Sequence, residues 1–332
     1  MNITWQIVRL QLKETFSISY GNYSYRDALI IQLKYNDFSG FGECTAIDYY
    51  NINLETFVAK LELIKSQLEN HKIVHPTHFY HFLETLQLHS FLRSALDCAY
   101  WDLFGKLENK SFLELNQIQF DIIPQSSITI SIDSIENQIK KIEASTWQKF
   151  KVKCNQFNQS AIIKLSELEQ DIALDLNGSF SSENCTWFEK NKWTEKFSYL
   201  EQPLKLGKEN FQKLNSNLHV NWMADEDCQD SSDLELLKNH YKSINIKLVK
   251  CGGLTPALEM IKKARSLDYK IMIGCMTEST IGISAGAVLA PFCDFVDLDG
   301  ANLIANDIAN GSQIINGKIY LSESHGLGIK LF

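Results

Sequence analysis

The chain has 332 residues, 45% of them hydrophobic and 22% charged, the balance of a globular protein with room for a barrel of roughly 250 residues and a smaller companion unit. A net charge of −8 argues against a nucleic-acid partner, which requires a basic face, and no apolar run reaches the roughly 18 residues of a membrane span. The eight cysteines are scattered with no CxxC pair, and the opening MNITWQIVRLQLKETF has no apolar secretion core. Together these predict a cytoplasmic protein with free thiols and no structural zinc.

Residues 2–12 and 26–35 alternate apolar with polar side chains (Ile3, Trp5, Ile7; Leu29, Ile31, Leu33), the period of antiparallel strands, with Tyr20-Gly21-Asn22 as the turn between them. A second hairpin closes through Asp37-Phe38-Ser39-Gly40 into Gly42-Glu43. Leu54, Phe57, Val58, Leu61, Ile64 and Leu68 then fall at helical spacing, and a second helix runs from Ser90 to Leu107. This gives an α+β unit over residues 1–120. His71, His75, His78 and His81 recur every three or four residues, but Pro76 breaks any single helix through them, which favours a solvated surface over a metal site.

Over residues 121–302 the pattern becomes strand then helix, with strand candidates near 128, 149, 172, 198, 221, 244, 271 and 295. Ser134 reads as a helix cap with Glu136 in the first turn. Eight parallel strands with helices between them predict a (β/α)7β-type TIM barrel that lacks its last helix. Residues 303–332, with Gly326 and Gly328, are expected to pack back on the N-terminal unit and complete it.

The chemistry lies at the strand ends. Lys153, Asp175, Glu201, Asp225 and Lys247 follow one another at intervals of 22–26 residues, each closing a short apolar segment. Catalytic groups of such barrels sit at the C-terminal ends of strands. Neighbouring strands are about 4.8 Å apart, so three successive carboxylates can reach one ion. Any one of them alone would pass as a helix cap or surface charge, and the matched spacing is what argues otherwise. Oxygen-only donors favour Mg²⁺ over zinc. Lys151 shares a strand face with Lys153, and a cation between facing lysines suits the removal and return of a proton.

The segments FKVKCN, DLNG, LEQP, ADED and NIKLVKCGG resemble the signature elements of the enolase superfamily, in its muconate-lactonizing subgroup. ALDCAYWDLFGK (95–106) and GFGE (40–43) resemble that family's capping domain. The resemblance implies Mg²⁺ on Asp175, Glu201 and Asp225, acid/base catalysis by Lys153 and Lys247, and supporting roles for Lys151 and Glu226. Asp297-Leu298-Asp299 and GCMTES (274–279) resemble the family's dipeptide epimerases, in which an Asp-x-Asp holds the substrate's ammonium; Asp297, Asp299 and Met276 would then bind substrate. Two acids also cap a strand-to-turn transition well. Arg26 is the arginine nearest the position, by Gly21, at which Ala-Glu epimerases read a glutamate side chain. Asn155 stands where the family has glycine, and asparagine tolerates the left-handed turn such a site would need. The implied activity is inversion of the α-carbon of the C-terminal residue of a dipeptide, Ala-Glu-like or hydrophobic, by two-lysine proton transfer; the sequence leaves a homo-oligomer open. An o-succinylbenzoate synthase, a cycloisomerase or an N-acylamino-acid racemase is the alternative on the same site.

Overall fold

A computed structural model describes residues 1–18 and 21–332 of the chain. The N-terminal sheet has the order β1 (Asn2–Ile18), β2 (Gly21–Tyr35), β3 (Phe38–Thr45), all antiparallel. β1 and β2 are longer than the alternation predicts, because pairing resumes past an irregularity between Gln11 and Phe16, with Phe16 opposite Tyr23. The strands approach each other at residues 18 and 21, and the predicted turn residue Tyr20 lies outside the described residues. Asn22 belongs to β2.

The central strand is buried on both faces. Leu29, Ile31 and Leu33 pack with Ile3 against α1 (Leu54–Glu69), α2 (Pro76–Thr85) and α3 (Ser90–Glu108), while Ala28 and Ile30 face the barrel side with Leu10 and Phe41. The predicted break at Pro76 is the first residue of α2, with His75 as its cap. The GFGE glycines explain how α3 lies so close to β3. A Cβ at Gly42 would stand 1.9 Å from the Ala95 carbonyl oxygen, and one at Gly40 2.2 Å from that of Ala99.

After α4 (Phe112–Leu115) come eight parallel strands in sequential order: β4 (Ile128–Ile130), β5 (Lys149–Lys153), β6 (Asp171–Asp175), β7 (Leu200–Glu201), β8 (Trp222–Ala224), β9 (Ser243–Lys247), β10 (Lys270–Gly274) and β11 (Phe295–Asp297). All eight lie where the sequence places them. A bridge between Ser126 and Val296 closes the ring. The connections carry α5 (Ile135–Glu143), α6 (Gln159–Ser166), α7 (Ser182–Lys190), the single turns α8 (Lys208–Phe211) and α9 (Leu234–Leu237), α10 (Leu248–Cys251) with α11 (Leu254–Ser266), and α12 (Thr280–Ala287). β11 is followed by a 3-10 turn, Gly300–Leu303, rather than an eighth helix. Ala173, Tyr199, Met223 and Met272, with Phe295 against them, form a small apolar cluster.

The tail forms two short antiparallel pairs, β12 (Ala309–Asn310) with β15 (Lys330–Leu331) and β13 (Gln313–Ile315) with β14 (Lys318–Tyr320). It is tied to α3, where Asp102 accepts from Leu327 N at 2.8 Å and Lys106 donates to the Ile329 carbonyl at 2.8 Å. No helix among the described residues is long and apolar enough to cross a membrane.

Candidate active site

Strand register sets the level of the charged groups. Lys153, Asp175 and Glu201 are register partners on β5, β6 and β7, and Lys247, Gly274 and Asp297 are partners on β9, β10 and β11. In an eight-stranded ring, β5 and β9 are four steps apart in either direction, so Lys153 and Lys247 stand on opposite sides of the mouth. Left-handed backbone at Asn177 (φ 39°) and Gln202 (φ 37°) turns the chain just past Asp175 and Glu201; Asn155, where the sequence suggests such a turn, has no positive φ. Gln202 then fixes the next loop. Its Oε1 accepts from the amides of Asp225 (3.2 Å) and Asp227 (3.1 Å), and its Nε2 donates to Asp227 Oδ2 at 2.7 Å.

The structure interleaves lysines with the three carboxylates. Lys153 Nζ lies 2.5 Å from Asp175 Oδ2, and Lys247 Nζ 2.7 Å from Asp225 Oδ2. Lys151 is buried at the centre, hydrogen-bonded to Asp297 and 3.4 Å and 3.6 Å from Glu201 and Asp175. Burial opposes a charged Lys151, but Asp297, Glu201 and Asp175 outweigh it and hold its pKa well above the usual lysine range. Burial likewise opposes charge on Lys247, and the fields of Asp225 and Glu201 raise its pKa in spite of it. Burial pushes Asp175 upward, yet Lys153 and Lys151 bring it below its ordinary value. Asp225 is held lower still, by Lys247 and Lys250 against burial.

Glu201 behaves differently. It is fully buried, it receives Asn245 Nδ2 on Oε1 at 2.6 Å, and its Oε2 has no hydrogen-bond partner. Burial pushes it up to about 8; Lys151 works against that rise, while Asp175 and Asp225 reinforce it. As the side chains lie, no three Asp, Glu, His or Cys groups among the described residues converge tightly enough to hold a metal ion. The donor chemistry nevertheless fits a hard cation: three adjacent carboxylates and a buried acceptor without a hydrogen-bond donor.

Lys151, Lys153, Asp225, Glu226, Lys247, Asp297 and Asp299 line a half-open cleft with about 690 Å³ of empty space, its open mouth included. Asp175 and Glu201 are buried and lie outside that lining. Glu226 accepts from Asn177 Nδ2 at 3.2 Å, and Asn177 Oδ1 accepts from Lys153 at 3.1 Å, so one asparagine links the two. Burial, reinforced by Asp225 and Asp175, pushes Glu226 up to about 7. Asp297 takes Ser127 Oγ at 2.8 Å on one oxygen and Lys151 on the other. Asp299 accepts from Thr129 N at 2.6 Å, and burial together with the Asp297 charge pushes it up to about 6. Met276 lines the cleft from the loop after β10. Arg26 enters from the N-terminal unit, stacked 4.2 Å from the Tyr23 ring centroid, with Nη1 on the Ala46 carbonyl at 3.0 Å. Burial lowers its pKa.

Several contributors were not assigned from sequence. Lys250 donates to Asp225 Oδ1 and to the Asp225 carbonyl, each at 2.6 Å, and to the Asn245 carbonyl at 3.1 Å. It stands one helical turn past Lys247, a spacing that returns a side chain to the same side. Asn245 lies two residues before Lys247 and so shares its strand face. Tyr49 and Tyr50 close the cleft from the N-terminal unit and carry no periodic signal at all.

Residues 135–331 match the family model described as enolase C-terminal domain-like. The chain is 38% identical over 337 residues to the L-Ala-D/L-amino acid epimerase of Maribacter sp., covering all of this chain and 99% of that one. Among solved structures, an enolase family member from Agrobacterium tumefaciens with homology to dipeptide epimerases, bound to sodium and L-Ala-L-Glu, superposes with a TM-score of 0.86 at 26% identity, over 97% of this chain and 98% of that one. The dipeptide epimerase of Enterococcus faecalis, complexed with Mg and L-Leu-L-Tyr, shares the fold with a TM-score of 0.87 at 23% identity over 99% of each chain. With the barrel, the capping sheet and the charged strand ends all in place, the chain belongs to the enolase superfamily, as a member carrying the enolase C-terminal domain-like fold.

Proposed function

We propose that this protein is a Mg²⁺-dependent dipeptide epimerase that inverts the α-carbon of the C-terminal residue by proton transfer between Lys153 and Lys247. The observation that carries the reading is the placement of these two lysines at opposed strand ends, each against its own carboxylate. Similarity to an L-Ala-D/L-amino acid epimerase over the whole chain supports it.

Asp175, Glu201 and Asp225 would hold the ion. When bound, it would supply positive charge that acidifies the substrate's α-proton and loosens the lysines from their carboxylate partners. A neutral lysine on one face then takes the α-proton: the C–H bond breaks, an N–H bond forms, and the electron pair passes into the substrate carboxylate. The ammonium of the other lysine returns a proton to the opposite face, inverting the centre. Lys151, fixed by three carboxylates, adds a permanent positive charge next to the acid cluster. Glu226, reached through Asn177, helps to position Lys153.

Asp297 and Asp299 would receive the substrate's ammonium, which costs several kcal/mol to bury without a counter-ion. One feature favours a second reading: Asp297 already holds Lys151 and Ser127. An N-acylamino-acid racemase, whose substrate has no ammonium, would need no more than that. Incubation with a dipeptide library and its N-acetyl counterparts in D₂O, reading mass gain, separates the two. Uptake by free dipeptides supports epimerisation; uptake confined to acylated substrates overturns it.

A further inference from the structure

We propose that Glu43 is a positioning residue that sets the width of the substrate cleft by capping a barrel helix from the N-terminal unit. Glu43 belongs to β3 and is nearly fully buried at the junction with the barrel. Its carboxylate accepts from Ser279 N at 3.0 Å, from Ser279 Oγ and from Gly282 N at 3.2 Å. These groups form the first turn of α12, where backbone N–H groups lack intrahelical partners and the helix dipole favours an anion. Ser279 already caps Ile281 N with its own hydroxyl, so Glu43 satisfies donors that the helix's own cap leaves.

The connection matters because of what flanks it. On the β3 side, Ile47, Tyr49 and Tyr50 follow within seven residues and form one wall of the cleft. On the α12 side, Met276 and Thr277 precede Ser279 and line the cleft as well. The Glu43–Ser279 contact is therefore a short bracket between two walls that come from different parts of the chain. Neither wall carries Lys153 or Lys247.

A second, independent attachment holds the same unit to the neighbouring helix. Asp97 of α3 accepts from Thr255 N at 2.9 Å and Thr255 Oγ1 at 2.8 Å, at the start of α11. That helix has no side-chain cap of its own, and a Cβ at Gly253 (φ +128°) would stand 2.4 Å from Asp97 Oδ2. With Asp97 in place, loss of Glu43 leaves the unit docked but its walls free to shift.

The inference rests on the dipeptide-epimerase reading for its substrate. The walls touch the parts of a substrate that do not react, so loosening them removes binding that is equal in ground and transition states. That raises KM and spares kcat. Glu43→Gln keeps the volume but replaces one accepting oxygen with an amide N–H₂, leaving at least one of the three donors without its acceptor. The expected result is a KM about 10-fold higher, equivalent to about 1.4 kcal/mol of lost uniform binding, with kcat within about 3-fold. Mg²⁺ affinity by calorimetry should be unchanged, and the Ser279 and Gly282 amides should exchange faster with D₂O. Ser279→Ala, which removes one of the three bonds to Glu43 together with the cap on Ile281 N, should show a smaller KM rise and stands in if the glutamine variant does not fold. Faster amide exchange with an unchanged KM overturns the proposal, as does a parallel fall in kcat and Mg²⁺ affinity, which would mark general loosening. If the wild type turns over no dipeptide, the epimerase reading fails instead, and amide exchange still reports whether Glu43 caps α12.

Discussion

The barrel mouth treats buried acid in two ways. From β5 to β9, carboxylates alternate with lysines, and although burial works against it, the lysines hold Asp175 and Asp225 below their ordinary range, while Glu201 and Glu226, without so close an ammonium, are pushed up by burial to about 8 and about 7. From β10 to β11 and beneath the N-terminal unit, Glu43, Glu278 and Asp299 are equally buried but meet mainly N–H and O–H donors. There burial prevails and pushes them up to about 7, 8 and 6. Neutral donors offset the desolvation of these carboxylates only in part, whereas the ammonium groups beside Asp175 and Asp225 outweigh it. In the first half Asp175 and Asp225 keep their charge against burial through direct contact with lysine ammonium groups. The second ties loops together through hydrogen bonds.

The largest expected effect would break the first half. Lys153→Ala and Lys247→Ala should each lower epimerisation by roughly 10²–10⁴-fold, the range of a positioned acid or base. Each should still exchange the α-proton of one substrate enantiomer with D₂O, because the surviving lysine faces one side only. Equal exchange of both enantiomers by both variants would rule out the two-sided arrangement.

Next comes the acid without a hydrogen-bond donor on Oε2. Glu201→Gln should retain the fold and weaken Mg²⁺ binding by roughly 100-fold, the upper end of what supporting groups around a metal contribute. Calorimetry on the variant checks this, and full activity of that variant in EDTA would remove the cation from the mechanism.

The first half was legible in the sequence because strand spacing and strand-end chemistry coincide. A strand, a helix and two loops take a nearly constant length, so Lys153 to Lys247 announce themselves by interval alone, and all eight strands appear where that interval places them. The second half was less legible. Glu43 meets Ser279 across 236 residues, and Asp97 meets Thr255 across 158, with no periodicity to connect either pair. GFGE is visible as a motif, but its glycines serve the close approach of α3, which only the packing reveals. The pairing of Asp297 with Lys151 is likewise a product of ring closure: β11 and β5 are distant in sequence and flank β4 in space.

That pairing determines how the second half is best probed. A charge-assisted hydrogen bond to a substrate ammonium contributes about 1.5–3 kcal/mol, so losing one should reduce kcat/KM roughly 10- to 150-fold. Asp297→Asn is a compromised test, because it also strips a carboxylate from buried Lys151. Asp299→Asn leaves Lys151 with its partners and disturbs only the contact with Thr129 N. It should penalise a free dipeptide heavily and the N-acetyl analogue little; an equal response from both would move the N-acylamino-acid reading ahead.

The smallest effect concerns stability alone, and it separates the acids raised by burial from those held down by lysines through the sign of their pH dependence. Burial pushes Asp97 and Glu43 up to about 7, above the range they would have unfolded. Between about pH 4 and 7 the native state therefore binds more protons than the unfolded chain, and stability falls as pH rises through that window. Asp175 and Asp225 are shifted the other way, so their contribution is present above about pH 4 and lost as pH falls below it. Tm in EDTA should thus peak near pH 4–5 and decline towards neutrality. If a single unit of the Asp97 shift is realised, the decline from that residue is about 1.4 kcal/mol, or roughly 2–4 °C. The net charge of −8 adds its own repulsion at higher pH, so the slope is the quantity to compare between proteins. Asp97→Asn stays neutral throughout and should flatten the Tm profile between pH 4.5 and 7 while leaving the acid limb in place. A wild-type Tm that climbs steadily over that interval, or a variant with an unaltered slope, would mean that the donors at the start of α11 offset the burial of Asp97 after all.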